Sequence, residues 1–189
     1  MFEVRFHGRG GQGAVVASNV LALAFFKEGR FVQSFPSFGG ERRGAPVMAF
    51  LRFDEEEIEV RSNVYRPDHV VVLDVSLTRT MDITAGLREW GWILLNSPHA
   101  PESYAFSNKF HTATIDANDI AVRHELGTIT SPIVNTAILG AFSRVTGTVT
   151  IDSIIEAIKE FVPNDPYGNA AAALEAYEGV TFVARQGES

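Results

Sequence analysis

The run Val70-Val71-Val72-Leu73, closed by Asp74, constrains the fold more than any other segment. Four consecutive apolar residues without polar alternation suit a strand covered on both faces, as in a parallel sheet between layers. Further apolar strands are expected at residues 92–95 and 112–116, and a first strand at residues 3–7. A glycine-rich loop follows that first strand, then a helix at Ala14–Lys27 that Gly29 would end. Residues 31–34 read as a short second strand. Residues 47–53 and 58–61 read as a hairpin joined by the acidic turn Asp54-Glu55-Glu56-Glu57.

Ser76 is placed to cap a helix over 77–89. Towards the C-terminus the pattern turns helical. Ser131-Pro132 reads as a helix start with proline in the first turn, and Ile133, Ala137, Ala141 and Val145 recur on one face. Thr150 would cap a helix with Ile151, Ile155, Ile158 and Val162 as its buried stripe, and residues 164–178 would form a last helix. Strands alternating with helices predict an α/β fold. The expected architecture is a Rossmann-like layered fold with a mostly parallel central sheet, an added antiparallel hairpin and C-terminal helices. It would form a single domain over 1–189.

Composition narrows the chemistry. The 189 residues include no cysteine, which excludes disulfides, thiolate metal sites, cysteine nucleophiles and cysteine-ligated clusters in this chain. The formal charge of −7 does not favour nucleic acid or an anionic membrane as partner. The longest apolar stretch, 15–26, is interrupted by Ser18 and Asn19 and falls short of the roughly 20 residues a membrane span needs. With no signal-type segment at the start, the expected location is cytoplasmic. His7, His69, His99, His111 and His124 lack metal-ligand spacing, so no metal site is expected, and no catalytic residue stands out.

Gly8-Arg9-Gly10-Gly11-Gln12-Gly13 fits the G-x-G-x-x-G spacing between a strand and a helix. Glycines let the backbone approach a phosphate, the helix start offers free N–H groups, and Arg9 adds charge. A dinucleotide site needs an acid at the end of the second strand to hold ribose. Here Gln33-Ser34-Phe35-Pro36 stands at that point, and Glu28 belongs to the helix end. A free-standing dinucleotide-binding redox protein therefore lacks half of its pattern, and a ligand-free tight turn is the plain alternative. In the loop over 35–46, Arg42 and Arg43 sit between glycines, where arginines can grip a phosphate or carboxylate bidentately. Phe35 and Phe38 make a subunit contact an equal alternative there. Asp74 ends a buried strand, where sheet folds place ligands or cap the next turn.

Taken together, His7-Gly8-Arg9-Gly10-Gly11-Gln12-Gly13-Ala14 and Ser34-Phe35-Pro36-Ser37-Phe38-Gly39-Gly40-Glu41-Arg42-Arg43-Gly44-Ala45-Pro46-Val47 resemble the gamma subunit of the 2-oxoacid:ferredoxin oxidoreductases. The pyruvate and 2-ketoisovalerate enzymes are the most similar. The resemblance continues through Pro67-Asp68-His69-Val70-Val71-Val72-Leu73-Asp74, Leu94-Leu95-Asn96-Ser97, Asn135-Thr136-Ala137-Ile138-Leu139-Gly140-Ala141 and Ala176-Tyr177-Glu178. It implies oxidative decarboxylation of a 2-oxoacid to an acyl-CoA, with coenzyme A as co-substrate and ferredoxin as electron acceptor. It also implies that thiamine diphosphate, magnesium and iron–sulfur clusters sit in partner subunits rather than in this chain. Within such an assembly Gly8, Arg9, Gly10, Gly11, Gln12, Gly13, Arg42 and Arg43 are the expected coenzyme A-binding residues, and the chain would be inactive alone.

Overall fold

The computed structural model describes residues 1–37 and 44–184. Strand β1 (Phe2–Arg9) leads through the glycine loop into helix α1 (Ala14–Lys27). Strands β2 (Phe31–Pro36) and β3 (Pro46–Asp54) follow, then β4 (His69–Val72), β5 (Trp92–Asn96) and β6 (His111–Ile115). Helix α2 (Ala117–Arg123), a small hairpin of β7 (Gly127–Thr128) and β8 (Ser131–Pro132), and helices α3 (Ala137–Thr146), α4 (Ile151–Phe161) and α5 (Pro166–Gly179) come next. Strand β9 (Thr181–Val183) is the last described element.

The main sheet has seven strands in the order β2-β3-β1-β4-β5-β6-β9. β1, β4, β5 and β6 are mutually parallel; β3 runs antiparallel to β1 and to β2, and β9 antiparallel to β6. The unbroken run in β4 is explained by its two covers. Val71 and Leu73 join the core under the helices, while Val70 and Val72 join a second core with Ile83, Leu87, Ile93 and Leu95. The helices α1 to α5 all contribute to the first of these cores. Turns and short 3-10 segments, bringing Met81, Tyr104 and Phe106, cover the second.

The β3–β1 half of that second face is charged. Arg52, only 1% exposed, donates to Glu3 at 2.8 Å and lies over the Phe35 ring. Arg5 donates to His7 Nε2 and to the carbonyls of Ile83 and Ala85. A buried arginine must find acceptors inside the protein, and this one takes carbonyls that a helix would need. The expected helix over 77–89 is accordingly absent. A 3-10 turn at Val75–Arg79 replaces it, capped by Asp74 and not by Ser76.

Other expectations are also corrected. Residues 58–61 form no strand, because β3 is already paired on both edges. The carbonyls of Ile58, Val60 and Ser62 accept from Gln33 and Arg52 instead. The antiparallel hairpin is β2–β3. Ser131-Pro132 lies in β8, where Ser131 N donates to Thr128 Oγ1 and Ile133 N to the Leu126 carbonyl, so the helix begins at Ala137. Thr150 caps α4 as expected, but its fully buried stripe is Ile154, Ala157 and Ile158. Helix α2 and strand β9 were not anticipated from the sequence. Among the described residues, no helix is long and apolar enough to cross a membrane.

Candidate functional site

The parallel strands β1, β4, β5 and β6 point their C-terminal ends to one side, the place where α/β sheets bind ligands. β1 stands where the sheet changes direction. Its antiparallel neighbour β3 lies on one side and its parallel neighbour β4 on the other. The glycine loop starts there. Gly11 and Gly13 hold left-handed backbone at φ 96° and 78°, which lets the chain turn from β1 into α1 within a few residues.

The loop is pinned from both sides. Gly10 N donates to the Ala45 carbonyl and Gly44 N to the Gly10 carbonyl, which extends the β1–β3 ladder. Arg9 N donates to Gln12 Oε1 at 2.7 Å. The Arg9 side chain crosses to β4, where Nε donates to Asp74 Oδ2 at 2.7 Å and Nη2 to Ser76 Oγ at 2.9 Å, and Nη1 reaches the Gly44 carbonyl. Burial alone would raise the Asp74 carboxyl; hydrogen bonds from Ser76 and Arg9 outweigh it and hold the group below the usual carboxylate range. Arg9 therefore fixes the loop, and the donors left without partners are backbone ones. The N–H groups of Gly11 and Gly13 have no acceptor among the described residues. Those of Ala14, Val15 and Val16 begin α1, whose cap residue Gly13 carries no side chain.

Beside the loop, a cavity of about 540 Å³ opens over the ends of β4, β5 and β6. Gln12, Asp74, Asn96, Asp116, Asn118 and Thr130 give it a polar lining. Asn96 is spent on the scaffold: it donates to the Leu73 carbonyl and Asn118 Oδ1 and accepts from Ala117 N. Asn96 ends β5 and Asp116 directly follows β6, and a position at the end of a buried strand is the sequence signal that could have marked them. The cavity's carboxylates favour a neutral or basic occupant over a polyphosphate.

Gly8, Arg9, Gly10, Gly11, Gln12 and Gly13 are thus brought together with Asp74. Phe35 packs on Phe50 and under Arg52, so its apolar surface has partners within the chain. Arg42, Arg43 and Phe38 lie outside the described residues. No acid stands at the end of β2; Ser34 Oγ there is bonded to Ser18 and Asn19. Groups of three or more His, Cys, Asp or Glu able to hold a metal ion do not occur among the described residues.

His7 and His69 are buried strand residues. Desolvation, reinforced by Arg5, pushes His7 down to about 3; desolvation, reinforced by His111, pushes His69 down to about 4. Both are neutral parts of the scaffold near neutral pH.

Comparison with known proteins gives a consistent result. The family described as "Pyruvate ferredoxin/flavodoxin oxidoreductase" matches residues 3–179. The "Pyruvate/ketoisovalerate oxidoreductases common subunit gamma" of Pyrococcus abyssi is 50% identical over 182 residues, covering 94% of this chain and 96% of that protein. "Pyruvate synthase subunit PorC" of Methanothermobacter marburgensis is 53% identical over 179 residues, with 94% and 97% covered. The crystal structure of pyruvate oxidoreductase subunit PORC from Thermotoga maritima superposes with a TM-score of 0.77 at 38% identity, covering 96% of this chain and 97% of that one.

Proposed function

The chain belongs to the pyruvate ferredoxin/flavodoxin oxidoreductase family and is a gamma-type subunit of a multi-subunit 2-oxoacid oxidoreductase; from that premise we propose that its glycine loop receives the phosphates of coenzyme A. The substrate class is pyruvate or a branched 2-oxoacid such as 2-ketoisovalerate, after the names of its relatives. The reaction releases carbon dioxide, passes two electrons to a ferredoxin-type acceptor and leaves the acyl group on coenzyme A.

The single observation that carries this reading is the row of N–H groups without acceptors among the described residues, at Gly11, Gly13 and the first turn of α1, on a loop held in place by Arg9 and Asp74. Such a row suits a phosphate. Arg42 and Arg43 follow β2 in sequence and add two cationic forks for a pyrophosphate or 3′-phosphate.

This chain offers no thiolate to an iron–sulfur cluster and no Gly-Asp-Gly…Asn segment to a magnesium–thiamine diphosphate. Those groups belong to partner subunits in this reading, where thiamine diphosphate supplies carbanion stabilisation and the clusters carry electrons. The chain's own part is to bind and orient coenzyme A and to join the assembly.

The test is kinetic, on the assembled enzyme. Replacing Arg42 and Arg43 by alanine should raise KM for coenzyme A with the 2-oxoacid KM unchanged. Weakened assembly with unaltered coenzyme A kinetics would make the arginines interface residues. Turnover by the purified chain alone would overturn the subunit role.

A further inference from the structure

Ile129 is the most exposed large apolar side chain among the described residues, at 83%. It lies at the tip of the β7–β8 hairpin, where a turn ordinarily carries glycine, asparagine or aspartate. The tip is tied down. Ser131 N donates to Thr128 Oγ1 at 3.1 Å, and the hydroxyls of Thr128 and Thr130 are 3.3 Å apart. At the base, buried Leu126 donates its N–H to the Ala121 carbonyl and accepts from Ile133 N. The chain thus spends several hydrogen bonds on presenting an isoleucine to water.

Two cavities flank this tip and share Val122, Ile129 and Thr130 as wall residues. The first is the cavity over the ends of β4, β5 and β6, where Asp116 and Asp119 also stand. The second, about 580 Å³, is completed by Glu125 and Leu126. Val122, on α2, is itself exposed. An apolar patch with a polar border marks an interaction surface. The border here is acidic. Asp119 is paired with Arg123, but Asp116 and Glu125 have no cationic partner among the described residues.

Such a surface is not complementary to itself. Two copies meeting on it about a two-fold axis would set carboxylates against carboxylates, which costs free energy. What fits is an aliphatic side chain packed on Ile129 and Val122, with a lysine or arginine beside it reaching the acids.

We propose that the β7–β8 tip and its two cavities form the docking surface for another subunit of the oxidoreductase, one that presents an aliphatic side chain next to a lysine or arginine. The inference rests on the chain's being one subunit of an assembly and does not depend on the coenzyme A reading. The first cavity also holds Gln12 of the glycine loop, so a subunit seated here borders the candidate ligand site.

The experiment uses the purified assembly. A benzophenone amino acid placed at Ile129 is irradiated in the intact oxidoreductase, and the joined peptides are read by mass spectrometry. The expected crosslink runs to a different subunit, at a segment with an aliphatic residue beside a lysine or arginine. A crosslink to a second copy of this chain or to an acidic segment, or no crosslink, overturns the proposal.

Dilution series followed by sedimentation velocity supply the second readout. Ile129→Asp and Glu125→Lys should each weaken assembly by about tenfold or more, the scale of a central contact residue. Both positions are exposed, so the Tm of the full chain alone should hold. The Glu125→Lys loss should shrink at high salt and the Ile129→Asp loss should persist. If Ile129→Asp alone acts, the basic partner group is overturned; if Glu125→Lys alone acts, the aliphatic contact is. Unchanged assembly in both variants overturns the docking surface, whereas an unaltered chain that purifies with no other subunit overturns the subunit role itself.

Discussion

Arg9 Nε and Asp74 Oδ2 are 2.7 Å apart, and this pair ties the C-terminal end of β1 to that of β4. It bridges the point where the parallel part of the sheet begins. Because both side chains are only partly exposed, solvent screens the pair less than a surface one. Asp74→Ala leaves the Arg9 guanidinium and Ser76 N without their shared acceptor. The expected cost is about 1–3 kcal/mol in denaturant unfolding, whereas the exposed Arg79→Ala should stay within about 0.5 kcal/mol. The Asp74 carboxyl is held below its ordinary value of about 3.9, so the contribution is complete above that pH. It is lost as pH falls through the lower folded value. The gap between the two proteins should therefore close in acid; a gap that widens would contradict the assignment.

Gly13 and Gly11 share left-handed backbone but differ in surroundings. At Gly11 an added Cβ meets nothing within 4 Å, while at Gly13 it meets Asn135. Gly11→Ala should cost only the backbone penalty, about 1–2 kcal/mol. Gly13→Ala adds displacement of a packed side chain, a further 1–3 kcal/mol or so. Chemical denaturation of both variants checks the ranking, and equal losses would refute it.

Gly140 sits where α3 crosses α5. A Cβ there would lie 1.7 Å from the Ala173 carbonyl oxygen, a backbone atom. Gly140→Ala should therefore be among the most damaging single substitutions, at about 3 kcal/mol or more. Adding Ala173→Gly should not restore stability, since the obstructing atom remains. Rescue in the double variant, seen as a recovered Tm, would show that side chains and not backbone set the helix spacing.

His7 and His69 make stability depend on pH in a defined direction. Their folded values, about 3 and about 4, lie below an unfolded value near 6.5. Stability is full above about pH 6.5 and falls as pH drops towards the folded values, because the unfolded chain takes up protons first. Each histidine contributes a slope of about 1.4 kcal/mol per pH unit in that window. Unfolding free energies between pH 7 and 5 should show the slope, and His69→Asn should reduce it by roughly one histidine's share.

The parts of the fold that the sequence disclosed were those with a strong local cause. Ala14–Lys27 was bounded by glycines on both sides, and the β4 run announced burial on two faces. The parts it concealed depend on distant residues. Ser76 looked like a helix cap because Arg5, some seventy positions earlier, is invisible in a local window, yet Arg5 takes the carbonyls that a helix would use. Ile58 to Arg61 alternated well enough for a strand, but β2 already held the edge of β3. The same divide runs through the site. The glycine spacing was plain. That Arg9 turns inward to Asp74, and that Asn135 lies on Gly13, followed only from how the chain closes on itself.

Strand β9 seals β6 through Thr112, Ala113 and Thr114, with the hydroxyls of Thr114 and Thr181 3.0 Å apart. It emerges from the ribosome only after α2, α3, α4 and α5. Throughout that interval β6 presents an unpaired edge, the kind that recruits strands from other nascent chains. Translation that stalls ahead of Thr181 would leave that edge open permanently, so the protein's exposure to aggregation is set during synthesis by three residues far from its glycine loop.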